Sequence, residues 1–259
     1  MKRPDTKQPG IDKITVACLG SSTTAAKGTF NWIAALESRP RNKPFHFINF
    51  GVGGDLAYNT CQRLRQVVNS NPDYVIIIIG SNDILSIVFD NVRRLYKRWK
   101  HLPQEPSPEW FQHNLQIIIQ RLKQETPARI AIASLAQVGE DPYPIHPVQK
   151  QLNDLFRRFS EIIKKTAQAE NVAYIPFYER FHEQIIASPG QAFTKFRFLP
   201  FYRDYLFREF ILGYSFDKIA RINGWKFHID GVHLNTRGGM ILTDLVQGFL
   251  YRGYGKSAR

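Results

Sequence analysis

Cysteine and long apolar runs are both scarce in this sequence of 259 residues. The two cysteines, Cys18 and Cys61, lie in apolar or helical stretches and form no CxxC pair or Cys/His metal spacing. A disulfide scaffold and a cysteine-based metal site are therefore not expected. The longest apolar run, Val75–Ile79, is far too short to cross a bilayer, and the basic N-terminal residues lead into no signal-like apolar segment. We therefore expect a cytoplasmic protein.

Acidic residues are outnumbered by basic ones, 22 to 35, which gives a formal net charge of +13. Such a surface attracts polyanions, including nucleic acids, anionic lipid surfaces and phosphate-bearing substrates. No zinc-finger spacing or aromatic RNA-binding stretch accompanies the charge, so we do not expect a nucleic-acid partner. An anionic membrane surface is kept as a candidate partner. The densest basic cluster, interpreted first as a solvated helix face, comprises Arg93, Arg94, Lys97, Arg98 and Lys100.

Strand-like apolar runs alternate with helical patterns, which predicts βαβ units and a parallel sheet. The unbroken run Val75–Ile79 is typical of a central strand covered on both faces. We predict a single α/β domain over residues 1–259, a flavodoxin-like three-layer α/β/α sandwich with a five-stranded parallel sheet in the order 2-1-3-4-5. Predicted strands lie at about 14–19, 45–50, 74–79, 129–134 and 172–175. Predicted helices span Asn31–Ser38, Leu56–Asn69, Pro108–Glu125, Val148–Ala169 and Arg237–Tyr251.

Polar loops directly follow the first three predicted strands, and an Asp-x-x-His turn lies near the end of the chain. Loops after parallel strands emerge at one edge of a sheet, where open α/β folds bind their ligands. The sequence therefore predicts one cleft that brings together a serine, a glycine turn, an amide and a histidine. The four blocks are Gly20–Thr24, Asn49–Asp55, Gly80–Asp83 and Asp230–His233.

Ser22 and His233 are the candidate nucleophile and base. Serine becomes a useful nucleophile when a base removes its proton, and histidine suits that task near neutral pH. Asp230 precedes His233 by three residues, so one short turn can aim the carboxylate at the imidazole. A serine after a strand also commonly caps the next helix. Ser21 and His228 are the nearest alternatives for the two roles.

Three groups are candidate donors for the oxyanion of a tetrahedral intermediate. Gly54 offers a backbone N–H that a substrate can approach closely, because glycine has no Cβ. Asn82 offers its side-chain amide, and Ser22 its own backbone N–H. Gly53 could replace Gly54, and both the glycines and Asn82 also suit simple turns.

Together these blocks resemble the SGNH (GDSL-like) hydrolase superfamily, from Ile14 to about Tyr251. The resemblance implies a Ser22 nucleophile, an Asp230–His233 pair, and an oxyanion hole of Ser22, Gly54 and Asn82. It also implies carboxylic ester hydrolysis through an acyl-enzyme, without metal or cofactor. This chain departs from the usual Gly-Asp-Ser motif, because Ser21 stands where the superfamily has aspartate.

An aromatic insertion, predicted to be helical and to span about 178–226, precedes the Asp-x-x-His turn. Within it Phe201, Tyr205 and Phe207 are predicted to contact substrate, as parts of a lid over an acyl chain. Rings that only pack the insertion onto the domain explain the pattern equally well. The expected substrate is a small-molecule or lipid ester, with lysophospholipid or another fatty-acyl ester favoured. A carbohydrate O-acetyl esterase and a non-catalytic binding module are the alternatives.

Overall fold

The fold is built on five parallel strands, seen in a computed structural model that describes residues 13–198 and 203–257, with side chains to Arg252. The strand order is β2-β1-β3-β4-β5, which confirms the predicted α/β/α sandwich. Each of the three central strands lies between two parallel neighbours, so the loops that follow them meet at one edge. The strands are β1 Ile14–Gly20, β2 Phe45–Gly51, β3 Tyr74–Ile78, β4 Arg129–Ala133 and β5 Ala173–Ile175.

Helices cover both faces of this sheet. On one side lie α3, α5, α7 and α8, and on the other α2, α9 and α11. Their bounds are α1 Ser22–Ala25, α2 Trp32–Glu37, α3 Ala57–Gln62, α4 Leu64–Val68, α5 Ser81–Val88, α6 Asp90–Trp99, α7 Pro108–Glu125, α8 Pro147–Ala169, α9 Phe177–Ala187, α10 Phe216–Ile222 and α11 Thr236–Ser257. A 3-10 turn spans Pro40–Asn42 and a π-helical segment spans Arg203–Glu209.

The central strand β3 explains why the core has two halves. Its side chains alternate between the faces, so Val75 and Ile77 pack into one apolar cluster while Ile76 and Ile78 pack into the other. All four are buried, as the unbroken apolar run predicts for a strand covered on both sides.

The predicted helix Leu56–Asn69 is two helices, α3 and α4, which meet at Arg63. Arg63 leaves helical geometry at φ −110° and ψ 14°. Its guanidinium donates to Asp55 and to the carbonyls of Phe50 and Gly20, at 2.7, 2.7 and 3.0 Å. Periodicity could not reveal this break, because it is set by contacts with distant parts of the chain.

The predicted insertion is only partly helical. Its first residues belong to α9, whose Phe181 and Ile185 are buried against the sheet and α11. Residues 189–197 have no regular secondary structure, and the π-helical segment and α10 follow. Phe193, Phe196 and Phe198 pack on the same core cluster as α7 and α8.

Within residues 13–198 and 203–257, no helix combines the length and apolar character needed to cross a membrane. The same residues contain no group of three or more His, Cys, Asp or Glu side chains placed to hold a metal ion.

Candidate active site

Ser22 begins α1, two residues after β1 ends at Gly20. A Cβ at Gly20 would overlap the Thr24 side chain and the carbonyl of Ile78, so the chain needs glycine to turn this tightly beside β3. Ser21 is buried, whereas Ser22 lines a cavity of about 270 Å³. Of the two adjacent serines, Ser22 is therefore the one that a substrate in this cavity would meet.

Asp230 and His233 are joined within one turn. His233 Nδ1 lies 2.8 Å from Asp230 Oδ2, and the backbone N–H groups of Val232 and His233 donate to Oδ1 at 2.9 and 2.8 Å. Gly231 makes the turn possible with a φ of +91°. Burial alone would raise the pKa of Asp230, but His233 and the two N–H groups stabilise the carboxylate more strongly, so this pKa lies below its usual value. A carboxylate held in this way orients the imidazole for proton transfer.

His228, the rival base, lies on the other side of this turn and is fully buried. Its Nδ1 lies 2.9 Å from Glu140 Oε1, and its Nε2 lies 3.1 Å from the carbonyl of Gln137. Glu140 also accepts from the backbone N–H groups of Lys226, Phe227 and His228, at 2.8, 2.7 and 3.0 Å. Because both ring nitrogens have partners and His228 does not line the cavity, its role is to support the chain that leads into the Asp230 turn.

Asn82 is fixed at the start of α5 by two hydrogen bonds. Its Nδ2 donates to the carbonyl of Asp55 at 2.9 Å, and the Tyr96 hydroxyl lies 3.3 Å from its Oδ1. An amide nitrogen carries two hydrogens, so Nδ2 keeps one for a ligand. Asn82 is nearly buried, yet it lines the cavity that contains Ser22.

Gly54 lines the same cavity and has a φ of +76°, which residues with a Cβ rarely adopt. No other residue of the described chain accepts a hydrogen bond from the backbone N–H of Gly54 or Ser22. The cavity wall therefore offers three donors, from Ser22, Gly54 and Asn82, beside a serine and a histidine that is paired with a carboxylate. Such a group can stabilise an oxyanion while a serine attacks a carbonyl.

Residues 18–238 match the GDSL-like Lipase/Acylhydrolase family. The chain belongs to this family. As a GDSL-like hydrolase it is a carboxylic ester hydrolase, which confirms the activity expected from the sequence.

Individual relatives of this GDSL-like hydrolase are distant. The human platelet-activating factor acetylhydrolase IB subunit alpha2 is 24% identical over 117 residues, which are 44% of this chain and 42% of that protein. The match thus spans less than half of this curated relative. Two acetyl xylan esterase structures share the fold. One has a TM-score of 0.58 at 20% identity, with 91% of this chain and 98% of the other covered. The other, from Geobacillus stearothermophilus, has a TM-score of 0.58 at 14% identity, with 91% and 94% covered.

The remainder of the hydrolase's cavity wall is mainly apolar. Among the described residues that line it, Lys27 and Lys100 are the lysines, and no Asp, Glu or Arg is present. The apolar and aromatic lining residues are Ala25, Leu85, Leu95, Tyr96, Trp99, Phe196, Phe198, Tyr205 and Val232. This composition suits an ester whose acyl or alcohol part is apolar.

The three predicted substrate contacts of the insertion have different positions. Tyr205 lines the cavity. Phe207 is 50% exposed and does not line it. Phe201 lies outside the described residues. The insertion also supplies Phe196 and Phe198 to the cavity wall, two rings that are not among the three predicted contacts.

Sequence reasoning missed the group of side chains that supports the glycine turn. Asp55 is buried between Arg63 Nε and Lys100 Nζ, each 2.7 Å from one of its carboxylate oxygens. The sequence places Lys100 in the solvated basic cluster, because a local pattern cannot show that a side chain reaches a partner 45 positions away. A carboxylate directly after two glycines was the one available signal.

Proposed function

We propose that this GDSL-like hydrolase cleaves carboxylic esters through an acyl-enzyme formed on Ser22. His233 removes the proton of the Ser22 hydroxyl as the oxygen attacks the ester carbonyl, and Asp230 stabilises the resulting imidazolium. The N–H groups of Ser22, Gly54 and Asn82 stabilise the oxyanion. His233 then protonates the leaving alcohol, and a water molecule activated by His233 releases the acid. The observation that carries this proposal is that Ser22, His233, Gly54 and Asn82 line one cavity, in which His233 is paired with Asp230.

Labelling with a fluorophosphonate tests the nucleophile. The reagent should modify Ser22 in the wild-type protein and leave Ser22→Ala unmodified. Modification of Ser21, or no modification of a protein that hydrolyses esters, would contradict the assignment.

For the substrate, we propose an ester with an apolar acyl chain, such as a lysophospholipid or another fatty-acyl ester. The support is the apolar wall formed by Leu85, Leu95, Trp99, Phe196 and Phe198 beside Ser22. Each methylene buried there contributes about 0.8 kcal/mol, which is roughly a fourfold gain in kcat/KM. A panel of nitrophenyl esters from acetyl to palmitoyl should therefore show kcat/KM rising with chain length until the cavity is filled.

Two alternatives give different results with this panel. Removal of acetyl groups from a carbohydrate, which is suggested by the names of the acetyl xylan esterases of similar fold, predicts a preference for acetyl esters. A binding module that has lost catalysis predicts no turnover of any ester and no fluorophosphonate labelling. The apolar wall favours the first proposal over both.

We also propose that the protein docks on anionic lipid surfaces through the insertion. Next to Tyr205, which lines the cavity, a run of apolar side chains is 45 to 85% exposed: Leu206, Phe207, Phe210, Ile211 and Leu212. Four exposed basic residues form no ion pair with another described residue, and each is next in sequence to a residue that lines the cavity: Arg94, Arg98, Lys195 and Arg197. Apolar side chains flanked by cations suit an anionic bilayer, whereas a second copy would bring like charges together.

Vesicle sedimentation tests this docking. The protein should bind vesicles of phosphatidylcholine with phosphatidylserine more strongly than vesicles of phosphatidylcholine alone, and high salt should weaken the binding. The double substitution Phe210→Ser with Ile211→Ser should reduce it, while the control Ile145→Ser, at a side chain that is 99% exposed elsewhere, should not. Equal binding by all three proteins would contradict the proposal, as would a dimer that the double substitution dissociates.

A further inference from the structure

Lys100 reaches from the end of α6 to the glycine turn that lines the active-site cavity. Its Nζ donates to the carbonyl oxygen of Gly53 at 2.8 Å and to Asp55 Oδ1 at 2.7 Å. The side chain is only 19% exposed, which is low for a lysine. A lysine held in this way has a fixed charge beside the turn, unlike the freely solvated lysines of a surface helix.

The bond to Gly53 controls the direction of the next N–H. The carbonyl of Gly53 and the N–H of Gly54 belong to one planar trans peptide, so they point in opposite directions. When Lys100 fixes the carbonyl, it also fixes this N–H. That N–H has no acceptor within the described residues, and Gly54 lines the cavity that contains Ser22. Such a contact matters at Gly54, because glycine has the widest range of allowed backbone angles and its N–H is therefore poorly fixed by the chain itself.

Lys100 is itself held at both ends. Its backbone N–H donates to the carbonyl of Tyr96 at 2.8 Å, and its carbonyl accepts from Asn59 Nδ2 at 2.8 Å. At the far end of the side chain, Asp55 pairs with both Lys100 and Arg63. Two cations on one carboxylate leave a net positive charge under the turn, which favours an anion on the cavity side.

The Lys100 side chain also packs closely against Gly54. A Cβ on Gly54 would lie 3.0 Å from Lys100 Cε and 3.5 Å from the Tyr96 hydroxyl. The lysine therefore packs directly against the glycine as well as bonding to its neighbour. In addition, the Asp55 backbone carbonyl accepts from Asn82 Nδ2, so Asp55 links Lys100 to a second oxyanion donor.

We propose that Lys100 is a positioning residue for the oxyanion hole: it fixes the Gly53–Gly54 peptide so that the Gly54 N–H meets the oxyanion, and its charge strengthens that interaction. This inference rests on the proposed acyl-enzyme mechanism. Lys100 acts through Gly54 and does not itself take part in proton transfer or attack.

The test compares Lys100→Met and Lys100→Gln with Lys97→Met, a matched control one turn earlier on α6 whose ammonium pairs with Glu105 on the surface. Lys100→Gln loses the charge but keeps a hydrogen-bond donor for Asp55. If Lys100→Met does not fold, the glutamine variant still allows the measurement. Both Lys100 variants should lower kcat by between about 10- and 100-fold with little change in KM, because a displaced donor weakens only the transition state. Lys97→Met should match the wild type.

A second readout separates positioning from general damage. Trifluoromethyl ketones add to the serine hydroxyl and form an anionic hemiketal, so their inhibition constant should rise in parallel with the loss of kcat/KM. Fluorophosphonate titration should still count a full set of reactive Ser22 sites. Propylammonium ions added to Lys100→Ala should restore part of kcat by occupying the vacated space.

Three results would overturn the inference: an unchanged kcat in a folded Lys100 variant, a change in KM alone, or a loss of activity that only follows the loss of titratable sites. Failure of the proposed function is distinguishable from these, because the wild-type protein would then neither hydrolyse esters nor react with the fluorophosphonate.

Discussion

At the edge of the sheet, residues of the same type differ in whether their side chains line the cavity. Ser21 and Ser22 are neighbours, but only Ser22 lines the cavity. His228 and His233 lie five positions apart, but His228 is enclosed with Glu140 while His233 lines the cavity. In each pair the side chains are chemically the same, so their surroundings make the difference.

Ser22→Ala and His233→Ala should each lower kcat by several orders of magnitude, and the double variant should be little worse than either, because the two groups act as one unit. Asp230→Asn should cost less than His233→Ala, because an imidazole remains. Measured kcat values for the four variants check this. An equally severe loss in His228→Ala, in protein that is still folded, would contradict the assignment of the base.

Asn82→Ala should lower kcat by about 10²- to 10³-fold with little change in KM, as expected for loss of one oxyanion donor. The melting temperature must be recorded as well, because Asn82 Nδ2 also bonds to the Asp55 carbonyl. Asn69→Ala, at an exposed helix end, is the control. An unchanged kcat would mean that Asn82 only shapes the loop.

At the scale of elements, the insertion between α9 and the Asp230 turn has two structural roles. Phe193, Phe196 and Phe198 pack on the core, and the last two also line the cavity. The π-helical segment is attached by Asp204, a buried carboxylate that pairs with Arg208 at 3.1 Å and accepts from Asn223 at 2.7 Å. Asn223 also donates to the carbonyl of Ile229, beside Asp230, so the insertion and the Asp230 turn are joined. The same segment therefore packs on the core and forms part of the cavity wall.

Phe198→Ala should reduce kcat/KM for long-chain esters more than for acetyl esters, because a long chain has more apolar surface to bury against this part of the wall. The melting temperature should fall as well, since the ring also packs on the core. Tyr143→Ala is the control, because its ring is 74% exposed and does not line the cavity. Equal losses on all chain lengths would mean that Phe198 acts through packing alone.

At the scale of the whole molecule, buried carboxyl groups make stability depend on pH in two directions. The pKa of Asp230 is lowered, and so is that of Glu140, where His228 and backbone N–H groups outweigh the effect of burial. Both groups contribute stability that is lost as pH falls through their folded-state pKa values. Burial raises the pKa of Asp83 from 3.8 to about 8, because its effect is larger than that of the hydrogen bond from the Ala57 N–H, which lowers this pKa. Between about pH 4 and 8, folded Asp83 keeps a proton that the unfolded chain has released, so its contribution to stability declines as pH rises.

Asp83→Asn should therefore remove part of the loss of stability between acid and neutral pH, because an amide has no proton to lose. Denaturant unfolding at about pH 5, 7 and 9 measures this, with the largest gain over wild type expected at the highest pH. Asp154→Asn, at an exposed carboxylate on α8, should leave the pH dependence unchanged. The same pH dependence in Asp83→Asn and the wild type would contradict a neutral Asp83.

The sequence by itself determined the sheet and the place of the candidate site. Unbroken apolar runs such as Val75–Ile79 can be satisfied only by burial on both faces, and parallel strands must then present their loops at one edge. Local spacing also sufficed for Asp230 and His233, because three residues of chain bring the carboxylate to the imidazole.

Tertiary structure decided everything that depends on distant partners. Lys100 belongs by pattern to an exposed basic cluster, yet it reaches the Gly53 carbonyl 47 positions away. Arg63 interrupts a regular helical pattern to bond with Asp55 and with the ends of two strands. His228 and Glu140, 88 positions apart, form an enclosed pair. Hydrogen bonds and ion pairs of this kind join the polar groups at the ends of side chains. Which of these groups lie close together depends on the tertiary structure, because their residues are far apart in the sequence.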